Sequence, residues 1–239
     1  DAMLEPLNRV PAGDVVLLHG CCHNPTGADL QPEHWDQIAD IALEREFIPF
    51  IDIAYQGLGQ GLDADAYGLR MMAERLPELL VASSCSKNFG LYRERTGSIT
   101  LVAESAEQAK IVSAQSMSIA RQIYSMPPAH GALLVSLILG DDQLRANWQA
   151  ELEEVRLRIK SMRTLLTDGI NNNAAGLDFS HIKQQQGMFS FLGITSDQLN
   201  RLREEFAIYI VGSTRVNLAG INSNNIEYLT QSIKTVLDS

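Results

Sequence analysis

Three polar residues fall at or just past the ends of apolar runs that have the length of buried strands: Asn24, Asp52 and Lys87. A lysine amine is nucleophilic only when deprotonated. Desolvation or a neighbouring cation lowers its pKa and permits a Schiff base with a carbonyl compound. Lys87 directly follows the run Leu79–Ser83, among the hydroxyls of Ser83, Ser84 and Ser86 and close to Arg93 and Arg95. Taken alone it is a solvated surface cation; on a shared rim with Asp52 and Asn24 it is a candidate nucleophile. Asp52 stands in Pro49-Phe50-Ile51-Asp52-Ile53. An acid at the end of an apolar strand needs a partner, because an unpaired buried charge is costly. A protonated ring nitrogen, a helix cap or a local salt bridge would each serve. Two other clusters have suggestive residue types but the wrong spacing. His19-Gly20-Cys21-Cys22-His23 is too tight for a structural zinc site, which separates its paired cysteines, so no metal is expected there. Gly57-Leu58-Gly59-Gln60-Gly61 lacks the third glycine of a dinucleotide loop, since position 62 is Leu62, and Glu78 precedes a strand instead of ending one. It reads as a flexible turn.

The elements that position these residues follow from periodicity and breakers. Val15–His19 reads as a strand, Pro32 to about Glu46 as a helix with Trp35, Ile38, Ala39 and Ala42 on one face, and Phe47–Ile53 as a second strand. This is a βαβ unit, which implies parallel pairing. A helix over Asp65–Arg75, strands over Leu79–Ser83 and Ser98–Val102, and a helix from about Ser105 follow. Pro127-Pro128 starts another helix to Leu139, and Asp141 to about Thr167 is a long charged one. Beyond Gly169 the expected order is strand Met188–Leu192, helix Ser196–Phe206 with a Ser cap, strand Ile208–Val211, an extended piece Arg215–Leu218 and helix Asn225–Leu237. The chain is thus α/β, a mostly parallel sheet flanked by helices over 1–150, with a smaller α+β part over 151–239. In open α/β sheets ligands bind at the carboxyl ends of the strands, where Asn24, Asp52 and Lys87 fall.

Lys plus Arg total 19 against 29 Asp plus Glu, a net charge of −10, which argues against nucleic-acid partners that bind through basic contacts to phosphate. No apolar run approaches a membrane span, and Asp1-Ala2-Met3-Leu4-Glu5-Pro6 does not resemble a secretory leader. Three cysteines, two of them adjacent, make no disulfide framework, and a cytoplasmic setting is expected.

Six motifs occur in order: His23-Asn24-Pro25-Thr26-Gly27, Asp52-Ile53-Ala54-Tyr55-Gln56-Gly57, Ser84-Cys85-Ser86-Lys87-Asn88-Phe89-Gly90, Pro127-Pro128-Ala129-His130-Gly131, Gly187-Met188-Phe189-Ser190-Phe191 and Arg215-Val216-Asn217-Leu218-Ala219-Gly220. Across essentially its whole length the chain resembles the bacterial aspartate and aromatic-amino-acid aminotransferases, which have fold type I of the pyridoxal-phosphate enzymes. The resemblance implies pyridoxal 5'-phosphate as cofactor and amino transfer from aspartate or an aromatic amino acid to 2-oxoglutarate. It implies that Lys87 carries the cofactor as a Schiff base and later moves a proton. Asp52 would keep the pyridine nitrogen protonated, and Asn24 and Tyr55 would bond the phenolic oxygen. Ser84 and Arg95 would bind the phosphate. Arg215 would clamp the substrate α-carboxylate, a bidentate task that suits arginine, and Phe189 would wall the substrate side. Arg121 would reach a side-chain carboxylate across the interface of a homodimer.

Departures from the family pattern are Cys85, Met126 before the double proline, and Ser213-Thr214 before Arg215. The family's N-terminal arm, its helix-borne phosphate loop and the aromatic residue that stacks on the pyridine ring have no counterparts in these residues. The chain is therefore expected to be a C-terminal portion, inactive by itself. The alternatives are an aminotransferase-like effector domain of a transcription regulator and another fold-type-I reaction. The pair Arg121 and Arg215 argues against the latter.

Overall fold

The computed structural model describes residues 3–238, which fall into two compact units. One comprises the chain up to Cys21, Leu30–Gly57 and Gly61–Glu151. The other comprises Cys22–Asp29, Leu58–Gln60 and the chain from Leu152 onward. Two short segments of the first half, 22–29 and 58–60, thus group with the second unit.

In the first unit a single turn, α1 (Leu4–Leu7), precedes β1 (Val15–His19). Helix α2 (Pro32–Arg45) opens with proline at its first position, where no intrahelical N–H is needed. It buries Trp35, Ile38, Ala39 and Ala42, whose spacing of three and four puts them on one face. The helix returns the chain to β2 (Ile48–Ile53), which pairs in parallel with β1 so that His19 lies opposite Asp52. A 3-10 turn over Ala64–Ala66 leads into α3 (Tyr67–Arg75), and β3 (Leu79–Ser84) then pairs in parallel with β2.

Strand β4 (Gly97–Val102) runs antiparallel to β3. Between them there is only one 3-10 turn, Tyr92–Glu94, and no crossover helix, so the chain can return beside β3 only in the opposite sense. The sheet order is β1-β2-β3-β4. Ile51, Ile53, Leu79, Ile38 and Met72 are buried to 1% exposure or less, the centre of this unit's core. Helices α4 (Ala106–Tyr124) and α5 (His130–Gly140) and the start of α6 (Asp142–Ile170) complete it.

Contact between α2 and α3 depends on one small residue. A Cβ at Gly68 would lie 2.3 Å from atoms of the Trp35 indole. Gly68→Ala should therefore lower stability by about 1–3 kcal/mol, the usual cost of overpacking. The measurement is the thermal unfolding midpoint; an unchanged midpoint would mean that this helix pair separates freely.

In the second unit α6 presents Ile159, Met162, Leu166 and Ile170 to a core that also holds Ile182, Leu192, Leu202, Leu218 and Ile233. The remaining elements are α7 (Ser180–Gln184), β5 (Phe189–Phe191), α8 (Ser196–Phe206), β6 (Arg215–Asn217) and α9 (Ile226–Leu237). Strands β5 and β6 form an antiparallel ribbon in which Phe191 faces Arg215 and Phe189 faces Asn217.

Two expectations need correction here. The cap of α8 is Thr195, not Ser196: its hydroxyl accepts from the Gln198 amide N–H, and the Gln198 side chain accepts from the Thr195 amide in a reciprocal capping box. Residues 208–211 are not a strand. The Ile208 amide donates to the Leu202 carbonyl (2.9 Å) and Ala207 takes a left-handed conformation, so these groups close α8 and are not free for a ladder.

Candidate active site

The first unit carries one set of the expected residues at the carboxyl ends of β2 and β3. Asp52 is the penultimate residue of β2, half-buried, opposite His19 on one side and Ala82 on the other. Alternation sends its neighbours Ile51 and Ile53 into the core on the other face, so Asp52 shares its face with Ile48 and Phe50. Among the described residues no hydrogen bond or ion pair engages the Asp52 carboxylate. Tyr55 follows β2 and is buried, and the Lys87 Nζ lies 4.5 Å from the centre of its ring. That is cation–π distance. The Lys87 amine likewise has no carboxylate partner among the described residues.

The segment that bears Lys87 is held from several sides. The Cys85 amide donates to the Thr96 carbonyl (3.0 Å), and the Gly90 amide to the Lys87 carbonyl (3.2 Å). The Asn88 side chain donates to the Gln56 carbonyl (3.2 Å). The Trp148 indole donates to the Asn88 carbonyl (2.8 Å) while its ring stacks on Phe89 at 4.4 Å. Burial pushes the Cys85 thiol up, which keeps it protonated and poor as a competing nucleophile beside Lys87. Ser84, the last residue of β3, accepts from the Ser86 amide (3.1 Å). Arg95 closes the 3-10 turn in a left-handed conformation and donates to the Tyr92 carbonyl (2.7 Å).

The resemblance places Arg121 in an interface loop; the structure differs. Arg121 lies in the last turn of α4, exposed, because the run Ala106–Tyr124 contains neither glycine nor proline and the helix continues until Ser125. Ile123, Tyr124 and Met126 beside it are also exposed.

The second unit carries the other set. Asn24 lies in the loop over 22–29, where the Asn24–Pro25 peptide is cis and the Asp29 carboxylate accepts from the amides of Cys22 and His23, both at 2.7 Å. Arg215 opens β6, and its Nη1 donates to the Asn24 Oδ1 (2.9 Å). Its guanidinium stands 4.6 Å over the Phe189 ring. Among the described residues no carboxylate pairs with Arg215. Asn24, Phe189 and Arg215, more than 190 positions apart at their extremes, are thus brought together as a half-buried cation on an aromatic support, an arrangement suited to a carboxylate ligand.

One residue of this set escaped the sequence reading. Arg163 is 2% exposed, and its guanidinium is spent on the segment that carries Phe189. The signal was available: Arg163 falls on the apolar stripe of α6 formed by Ile159, Met162, Leu166 and Ile170, where a charge must find partners. The turn over 57–61 is fixed by the buried Asp65, which accepts from the Gly57 amide (2.8 Å). This gives the glycine run a local role.

The donor set suits pyridoxal phosphate. It offers an amine for the aldehyde and an unengaged carboxylate for a protonated ring nitrogen.

Comparisons with known proteins agree. Residues 1–233 match the family described as aminotransferase class I and II. An aspartate aminotransferase of Haemophilus influenzae is 54% identical over 235 residues, 98% of this chain and 59% of the relative. An aromatic-amino-acid aminotransferase of Pseudomonas aeruginosa is 48% identical over 236 residues, 99% of this chain and 59% of the relative. Among solved structures, the aromatic-amino-acid aminotransferase of Burkholderia pseudomallei, covalently bound to pyridoxal phosphate, superimposes with a TM-score of 0.97 at 43% identity. The match covers 99% of this chain and 59% of that one. The chain therefore spans about 59% of the length of the curated relatives it matches.

Proposed function

The chain belongs to the class I and II aminotransferases, and on that premise we propose that the protein moves an amino group between aspartate or an aromatic amino acid and 2-oxoglutarate, with pyridoxal 5'-phosphate as cofactor. The activity is proposed for a protein of its relatives' full length. The observation that carries the reading is the pairing, on one strand-end rim, of Lys87 over the Tyr55 ring with an unengaged Asp52 carboxylate. When bound, pyridoxal phosphate supplies the electron sink that such chemistry needs.

The chain's own residues do the rest. Lys87 holds the cofactor and moves the proton of the substrate α-carbon as general base and acid. Asp52 keeps a proton on the ring nitrogen by charge. With the cofactor bound, Tyr55 would be a partner for its phenolic oxygen, as would Asn24, and Ser84 and Arg95 would hold the phosphate. Arg215 orients the substrate through its α-carboxylate and Phe189 excludes water from that side. The direct test is amino transfer to 2-oxoglutarate from aspartate, phenylalanine and tyrosine by cofactor-loaded, full-length protein. Absence of turnover with both donor classes would refute the reading.

The enzyme is a homodimer in which Arg121 serves the partner's site and binds the distal carboxylate of aspartate. Exposed Met117 and Tyr124, four positions before and three after Arg121 and so on its face of α4, support this, since large apolar side chains left in solvent beside a cation suit an interaction face. A cytoplasmic location goes with the free thiols of Cys21, Cys22 and Cys85. Arg121→Ala should lower kcat/KM for aspartate roughly 10- to 100-fold, the worth of a charge-assisted contact, and leave phenylalanine within about threefold. Equal losses on both donors would count against the division of labour between Arg121 and Arg215.

A further inference from the structure

Arg163 has an uncommon environment for a cation. Its Nε donates to the Gly187 carbonyl (3.1 Å), and its Nη1 to the Ile182 carbonyl and the Ser190 hydroxyl, both at 2.8 Å. Its Nη2 donates to the carbonyls of Gln186 and Gly187, both at 2.7 Å, and of Phe189 at 2.6 Å. All three guanidinium nitrogens thus serve one stretch of chain, from the last turn of α7 to the middle of β5. Carbonyls at a helix end and in a tight buried turn have no ladder partners and must be satisfied. A planar fork of five N–H groups meets that need where the single ammonium of lysine cannot. Burial pulls the Arg163 pKa down to about 10, with Asp29 partly offsetting the cost, so it is still charged at neutral pH.

The stretch gripped by Arg163 is the one that bears Phe189, whose ring supports the Arg215 guanidinium at 4.6 Å. The loop bearing Asn24 rests on the same stretch. The Gln186 amide donates to the Gly27 carbonyl (2.9 Å), and a Cβ on Gly27 would fall 2.5 Å from the Phe189 carbonyl and 3.1 Å from the Arg163 Nη2. Arg215 and Asn24 are then joined by their own hydrogen bond (2.9 Å). We infer that Arg163 is a positioning residue for substrate binding, which by clamping residues 182–190 seats Phe189 and Asn24 against Arg215 and so sets the geometry of the carboxylate site. The inference rests on the reading of Arg215 as the carboxylate clamp.

The test compares Arg163→Met, Arg163→Lys and Ser190→Ala in full-length, cofactor-loaded protein. Three quantities are read: pyridoxal phosphate affinity, the split between KM and kcat for the amino donor, and the affinity for succinate, a dicarboxylate that cannot react. Arg163→Met is expected to raise the donor KM and weaken succinate about 10- to 100-fold, with kcat changed less than about fivefold and cofactor affinity lowered less than about fivefold, through Asn24 alone. Arg163→Lys should recover only part of the loss. Phe189→Ala should cost much less in the Arg163→Met background than in the parent, because the two act through one contact. A folded Arg163→Met variant with unchanged KM and succinate affinity overturns the inference, as does an additive double mutant or an equal loss of cofactor and substrate binding. If Arg163→Met does not fold, Ser190→Ala decides: weakening of about two- to fivefold supports the inference, and an unchanged affinity overturns it. Absence of cofactor-dependent turnover in the parent protein is a separate result that refutes the aminotransferase reading and removes the inference with it.

Discussion

Lys87→Ala should leave a folded protein with turnover lowered by about four orders of magnitude or more. Positioned proton transfer alone contributes roughly 10²–10⁴-fold, and the variant also loses the covalent hold on the cofactor. The geometry makes the loss hard to rescue from within the chain. Cys85, the other nucleophile nearby, is kept protonated by its burial. Lys183 already pairs with Asp168. The surrounding fold should survive, because Lys87 is not a member of the core and its segment is held by Asn88, Phe89 and Trp148. In the parent protein, borohydride should fix the cofactor irreversibly, and peptide mapping should find it on Lys87. A label on another lysine, or an alanine variant with turnover within tenfold of the parent, would overturn the assignment.

How much of this was legible beforehand differs between the two units, for physical reasons. The first three strands of the first unit are readable because each begins on a cluster of large apolar residues, Val15–Leu18, Ile48–Ile51 and Leu79–Val81; the expected limits of β1 match the observed ones, and those of β2 and β3 fall within a residue. The residues on that rim were therefore locatable by counting from strand ends. The orientation of β4 was not fixed by its composition; it follows from a connection too irregular to hold a crossover helix. In the second unit strands are three residues long and pairing depends on turns whose residues do not advertise them. Ile208–Val211 has strand composition, but a helix-closing hydrogen bond from Ile208 overrides it, and alanine stands at the left-handed position where glycine would have signalled the stop. The place of Arg163 on the apolar stripe of α6 signals that it needs partners but does not say which. Its importance lies in backbone carbonyls more than 18 residues downstream, and side-chain patterns cannot list backbone acceptors. The family motifs supplied the roles of Asn24 and Arg215, whereas their direct hydrogen bond and the Phe189 support are visible only in three dimensions.

Arg215→Ala should lower kcat/KM by about 10²–10³-fold for aspartate and for phenylalanine alike. Both donors present an α-carboxylate, and truncating one member of a desolvated charge pair costs roughly 2–5 kcal/mol. Arg215 is half-buried, stands 4.6 Å over the Phe189 ring, and uses one nitrogen on the uncharged Asn24 amide, which leaves its charge uncompensated by any described carboxylate. The Asn24 contact fixes the plane of the guanidinium without neutralising it, so the remaining N–H groups can meet an incoming carboxylate in the two-pronged geometry that arginine favours. Arg215→Lys should therefore recover only a minor part of the loss, since an ammonium keeps the charge but not the fork. The defect should appear mainly in KM if the contact is equal in ground and transition states, and in kcat as well if the contact strengthens in the transition state. Cofactor attachment to Lys87 should be unaffected, and borohydride labelling of the variant checks this independently of turnover. A loss confined to aspartate would transfer the side-chain role from Arg121 to Arg215. A loss below fivefold on both donors would show that the substrate carboxylate is bound elsewhere.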